Sequence, residues 1–195
     1  MKLAAMLAEI RRSHRYVARD NIRNVFGDYH NALHWLALFL VGNHELAESC
    51  VIDACTIATI DTPNFHEWLV HWAVRATFRS ALQNERMSVA EFAPKYERDE
   101  PLVEEQAPLL TEQFRQLVSH SELIHSRLDV LSRFVLVMRG IAKDSSDEIA
   151  AQLGVSRTAV AQAYRFAVDL IDDFPREGRG GADVVLAGVL LEEAR

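Results

Sequence analysis

DEIAAQLGVSRTAVAQAYRFA (residues 147–167) reads as a helix, a tight glycine turn and a second helix. With Ser146 as the first position, Ile149, Leu153, Val155, Val160 and Ala163 fall where two crossed helices bury side chains, and Ala150 falls at their closest approach. Gly154 sits at the turn, where the backbone often needs a positive φ that glycine adopts without strain. Ser156 is a good N-cap for the second helix. The pattern predicts a helix-turn-helix. The outer face of its second helix offers Arg157, Thr158, Gln162 and Arg165. Arginine and glutamine form bidentate contacts with guanine and adenine edges, and Thr158 suits a phosphate or a thymine methyl. A solvated helix face is the plainer reading of the same four side chains, and both stay open on sequence alone.

The whole chain sets limits on that reading. Its 195 residues are 49% hydrophobic and 25% charged, with 8 glycines and 5 prolines, which predicts a soluble, helix-rich protein. The formal net charge is −7, and the acidic excess is concentrated in residues 87–119. A protein that lived on phosphate contacts would carry a basic surface, so strong autonomous DNA binding is not expected. No apolar run reaches the ~18 residues that would cross a bilayer. The N-terminal MKLAAMLAEIRRS places Glu9 inside its apolar stretch and reads as a helix start, so no signal peptide is expected and the location is cytoplasmic. Cys50 and Cys55, the only cysteines, are five apart in a predicted helix and read as two buried thiols in a reducing compartment.

Apolar residues repeat at helical spacing almost throughout, so the fold class is all-α. The spacing predicts helices over 2–25, 29–41 (capped by Asp28), 44–59 and 64–84, with Gly42-Asn43 ending the second and Asp61-Thr62-Pro63 turning into the fourth. From about 86 the composition changes, and PKYERDEPLVEEQAP (94–108) combines three prolines with a run of acids, which is linker chemistry. Further helices are expected near 110–118, 121–126, 128–139, 145–153 and 157–173, with a last short one in ADVVLAGVLLEEA. The organisation is thus two small helical domains (1–86 and 109–173) joined by an acidic linker (87–108), with a tail over 174–195.

LDVLSRFVLVMRGIAKDSSDEIAAQLGVS resembles region 4 of the sigma-70 family, in particular its small extracytoplasmic-function (ECF) group. Leu128, Arg133, Val135, Arg139, Ser145, Glu148, Ile149, Ala150, Leu153, Gly154, Ser156 and Val160 carry the match without a gap. LVGNHELAESCVIDACTIA resembles part of region 2 through Leu40, Gly42, Ala47, Glu48, Val51 and Asp53, and FHEWLVHWAVRATFRSAL resembles its promoter-melting helix through Phe65, Trp68, Leu69 and Ala73. The likeness spans roughly residues 26–84 and 108–173, in the family's order.

This resemblance implies a transcription initiation factor that directs core RNA polymerase to promoter DNA and has no catalysis of its own. Glu48 and Asp53 would face the polymerase clamp. Trp68, Trp72, Arg75 and Arg79 would open the −10 element, where aromatics stack on flipped bases and arginines hold the strand; core packing is the other reading of Trp68. Arg157, Thr158, Gln162 and Arg165 would meet the −35 element. The acidic linker would thread into the polymerase channel, plain solvation being its other reading. An inhibitory anti-sigma protein is an optional third partner.

Several positions depart from the family. Ala161 and Ala163 stand where it usually carries lysine or arginine, Arg79 where it usually carries aspartate, and SALQNERMS where a basic run normally follows. The alternative is therefore a sigma-like protein-interaction module with little or no DNA reading. Eight histidines also raise a metal site. His30 and His34 share a helical face that His44 can approach, but no cysteine or HExxH spacing supports zinc, and neither metal nor cofactor is expected. Membrane and small-molecule partners have no support either. Asp144, Asp147 and Glu148 read as helix-start charges favoured by the helix dipole.

Overall fold

A computed structural model describes residues 22–60, 69–97, 113, 116–117 and 119–174. Trp68 and Phe65, the Asp61-Thr62-Pro63 turn, nearly all of the helix expected from residue 2, most of the linker and the 182–194 segment lie outside the described residues. Everything assigned to a regular element within them is helical, and no helix among them is long and apolar enough to cross a membrane.

Two residues turn the first hairpin. Gly42 takes φ 70°, and its N–H closes on the Leu38 carbonyl at 2.7 Å. The Asn43 side chain then accepts from Leu46 N at 2.9 Å, capping the following helix. Helix α1 (His30–Val41) thereby folds back on α2 (His44–Ile60). Ahead of α1, residues 22–28 are helical and run on through Tyr29, which occupies the cap position without a side-chain hydrogen bond. Asp28 is therefore not the cap expected of it. The ladder is carried through by Tyr29 N on Val25 O and Leu33 N on Tyr29 O, both at 2.9 Å, while Ile22 and Phe26 are buried.

Helix α3 (Leu69–Tyr96) continues well past the residue 84 at which composition suggested an end. Its first half buries small side chains, Ala73, Ala76, Thr77, Ser80 and Ala81, which let α1 and α2 approach closely. Its last turns bury Val89, Ala93 and Tyr96, spaced four and three apart on one face. That face keeps the helix going through sequence that looks like a linker, although Pro94 in its last turn has no N–H to offer the Ala90 carbonyl.

The rest of the chain packs against α3 and α1 as α4 (Ser121–Arg127), α5 (Val130–Gly140), α6 (Ser146–Leu153) and α7 (Arg157–Asp172). In α5 every residue but Arg139 is buried. Asp129 caps it by accepting from Ser132 N at 2.9 Å. At α6 the Ser145 side chain accepts from Glu148 N, and the Glu148 carboxylate accepts from Ser145 N at 2.8 Å, a reciprocal capping box. Gly154 ends α6 at φ 70°, and Ser156 caps α7 by accepting from Ala159 N at 3.1 Å. Buried side chains from Ile22 to Phe174 form one contiguous core across both halves of the chain.

The two left-handed glycines differ in their surroundings. A Cβ on Gly154 would meet nothing within 4 Å, whereas one on Gly42 would lie 2.7 Å from the His125 ring. Gly154→Ala should cost about 1–2 kcal/mol, the strain of a Cβ in that conformation, and Gly42→Ala should cost more. Urea denaturation of the two variants measures the difference.

Candidate functional site

The turn that begins α7 aims its outer face away from the core. Ala159, Val160, Ala163, Tyr164, Ala167 and Ile171 are buried, so α7 presents the opposite side to solvent. Arg157 and Arg165 are 53% and 48% exposed, and Thr158 and Gln162 are half-buried beside them. The structure thus brings the four side chains expected to read DNA onto one face. Each arginine already has a carboxylate neighbour: Arg157 lies 3.7 Å from Asp147 and Arg165 lies 3.8 Å from Asp169. Such exposed pairs are worth at most about 1 kcal/mol and exchange readily. Their effect is to cancel the positive charge of the face, which Asp172 and Asp173 at its C-terminal end take further.

Ala163 needs correction as a missing phosphate grip. It is fully buried, so a lysine or arginine there would be driven into the core. Ala161 is half-exposed and is the real gap in basic character on this face.

A second face lies on α3. Trp72, Arg75 and Arg79 follow one another at three- and four-residue steps, and the Arg79 guanidinium stacks over the Trp72 ring at 5.4 Å. Arg75 points to the other half of the chain, where it pairs with the Asp144 carboxylate. The Trp72 Nε1 and Arg75 Nε donors are buried without a hydrogen-bond partner among the described residues, as is Arg133 Nε. A donor left in that state costs about 1–3 kcal/mol.

On α2, Asp53 is exposed and Glu48 is half-exposed, its carboxylate 3.4 Å from His30 Nε2. Between them Ile52 is 57% exposed, an apolar side chain that the sequence reading passed over. Glu48 and Ile52, four residues apart, share one face of α2, with Asp53 turned away from Glu48.

Sequence reasoning also missed the side chains at the seam between the halves. Asp144, expected as a helix-start charge, is only 2% exposed and faces Arg75. It is set there by Lys143 at φ 58° and by Arg139 Nη1 donating to its carbonyl at 3.0 Å. Burial outweighs Arg75 and holds the Asp144 carboxyl above the usual carboxylate range. Asp129 behaves differently. Burial pushes its carboxyl up, but hydrogen bonds from Lys95 Nζ and Tyr96 Oη, both at 2.6 Å, and from Ser132 more than offset this and leave it below the ordinary range. Arg133 donates to the Phe39 carbonyl at 3.3 Å and to His125 Nε2. The partners of Asp129 on α3 and of Arg133 on α1 lie 33 to 94 residues away, so no local pattern signals them.

The histidines do come together: His30 and His34 stack at 6.0 Å, and His34 and His44 at 5.7 Å. Among the described residues, no group of three or more His, Cys, Asp or Glu is arranged to hold a metal ion. Cys50 is buried and Cys55 half-buried rather than fully buried as expected, and both are free thiols. A cleft of about 200 Å³ opens between α1 and α4, lined in part by Trp35, Phe39, His44 and His125. No protein-family model, curated protein or solved structure matches the chain. The functional reading therefore rests on the residues themselves.

His125 gives the seam a pH dependence. Burial, and then the neighbouring Arg133 charge, hold its imidazole below the ordinary 6.5. The unfolded chain therefore takes up a proton at this position more readily than the folded one. Its contribution is present above pH 6.5 and is lost as pH falls through the lower folded value. Urea midpoints should drop between neutral and mildly acidic pH, and His125→Gln should flatten that part of the profile.

Proposed function

We propose that the chain is a transcription initiation factor of the ECF sigma type, which acts in the cytoplasm, directs core RNA polymerase to promoter DNA and catalyses nothing itself. In this reading the chain has two functional domains. The α1–α3 half binds polymerase through Glu48, Ile52 and Asp53 and engages the melted strand through Trp68, Trp72, Arg75 and Arg79. The α4–α7 half carries a helix-turn-helix that lays Arg157, Thr158, Gln162 and Arg165 in the major groove. The observation that carries the proposal is the α6–α7 unit: a reciprocal cap on Ser145, left-handed Gly154, Ser156 capping α7, and an inner face buried on α5 while those four side chains stay accessible. With so few basic groups, polymerase supplies most of the affinity.

One observation favours a second reading, a sigma-like protein-interaction module with little DNA reading. Both arginines on α7 are matched by aspartates, so the face lacks the net positive charge on which phosphate binding depends. An anti-sigma type of partner fits either reading.

Run-off transcription with purified core polymerase, together with promoter binding at graded salt, separates the two. The initiation-factor reading expects a salt-sensitive promoter complex that forms only with polymerase. Arg157→Ala should then weaken that complex by about 1–3 kcal/mol, the worth of one bidentate base contact. Binding to polymerase with no such complex would leave the interaction module.

A further inference from the structure

We propose that the contact between α3 and the α5–α6 corner is a latch, in which the Asp144 carboxylate holds the Arg75 guanidinium and so keeps the Trp72–Arg75–Arg79 stripe from an anionic strand. The strand is single-stranded nucleic acid, whose phosphate oxygens would replace the Asp144 carboxylate on Arg75. This part of the proposal rests on the initiation-factor reading.

Among the described residues, two ion-pair clamps join α3 to the second half. At the first, Asp144 is buried while a third of the Arg75 side chain remains exposed, so the cation can reach solvent but the anion cannot. The carboxylate has a fixed position, because Lys143 holds a left-handed conformation and Arg139 binds the Asp144 carbonyl. At the second, Lys95 and Tyr96 at the end of α3 hold Asp129, the cap of α5, and Tyr96 Oη also meets Ser132 Oγ at 2.7 Å. Lys95 Nζ lies 4.8 Å from the Phe166 ring, which ties α7 to the same clamp.

The two clamps differ in how well they are satisfied. Asp129 is met by a cation, a hydroxyl and a backbone N–H, and its carboxyl is held below the usual range. At the Asp144 clamp burial dominates and Arg75 Nε is left without a partner among the described residues. Breaking one partner of a buried pair is far more costly than removing both. An incoming phosphate would do neither: it would give Arg75 a new acceptor while Asp144 becomes free to hydrate. The Asp144 clamp is thus the side of the seam at which opening begins, and Asp129 is the side that holds.

Hydrogen–deuterium exchange of the full chain tests the latch. Asp144→Ala removes the acceptor that holds Arg75 across the seam and should speed exchange in residues 72–79 and 146–153 by about tenfold, with α1 and α2 unchanged. Adding Arg75→Met should return both segments toward the wild-type rate. Lys95→Met, at a half-exposed position that the fold should tolerate, should speed exchange at the seam more modestly. Unchanged exchange at the seam in both Asp144→Ala and Lys95→Met overturns the latch, as does a uniform rise across all helices in Lys95→Met.

Binding of a single-stranded DNA oligonucleotide at low salt supplies the second readout. Asp144→Ala should bind it about tenfold more tightly than wild type, and Arg75→Met should abolish the gain. Local opening without tighter DNA binding overturns the strand-binding role while the latch itself stands; the initiation-factor reading is decided separately, by run-off transcription with core polymerase.

Discussion

Helix α3 has to satisfy two neighbours at once, and the remaining packing follows from how it does so. Its N-terminal half is lined with small side chains, which let the α1–α2 hairpin lie close. Its C-terminal turns bury Val89, Ala93 and Tyr96, and Tyr96 reaches Asp129 and Ser132 on the other half. A helix used on two sides couples what it joins. That is why the buried side chains form one contiguous core where the sequence suggested separate bodies.

The polar seam fits this coupling. An interface meant only for stability would bury apolar groups, because a buried ion pair is weak support for a fold. Here carboxylates at Asp129 and Asp144 meet cations at Lys95 and Arg75, and the Nε donors of Arg75 and Arg133 have no partner among the described residues. Charges placed this way specify which surfaces meet more than they strengthen the meeting.

What could be read from the sequence was what short-range chemistry encodes. The α6–α7 unit was legible because its signals lie within a few residues of each other: the apolar spacing along both helices, Gly154 at the turn and Ser156 as the cap of α7. The Gly42-Asn43 turn was legible for the same reason. The extension of α3 was hidden by the prolines and acids of residues 94–108, whose composition signal outweighed a face of only three buried residues. The four side chains of the α7 face were found by helical spacing, but their aspartate neighbours were not weighed. The motif spacing puts Ala163 on the buried side with Val160 and Ala167, and it is buried; only the family comparison set it where a basic residue would stand. Asp144 was invisible as a seam residue, since its partner lies 69 positions away.

Helix α5 is enclosed on nearly every side, and α7 is held to it by an alanine-rich inner face. Little that stabilises this half of the molecule depends on Arg157 or Arg165, which are about half exposed and paired only across solvent. Changes at such exposed positions typically alter stability by no more than about 0.5 kcal/mol. The outer face of α7 is therefore free to drift in evolution: a lineage can lose a recognition specificity, or acquire another, without ever passing through an unfolded ancestor.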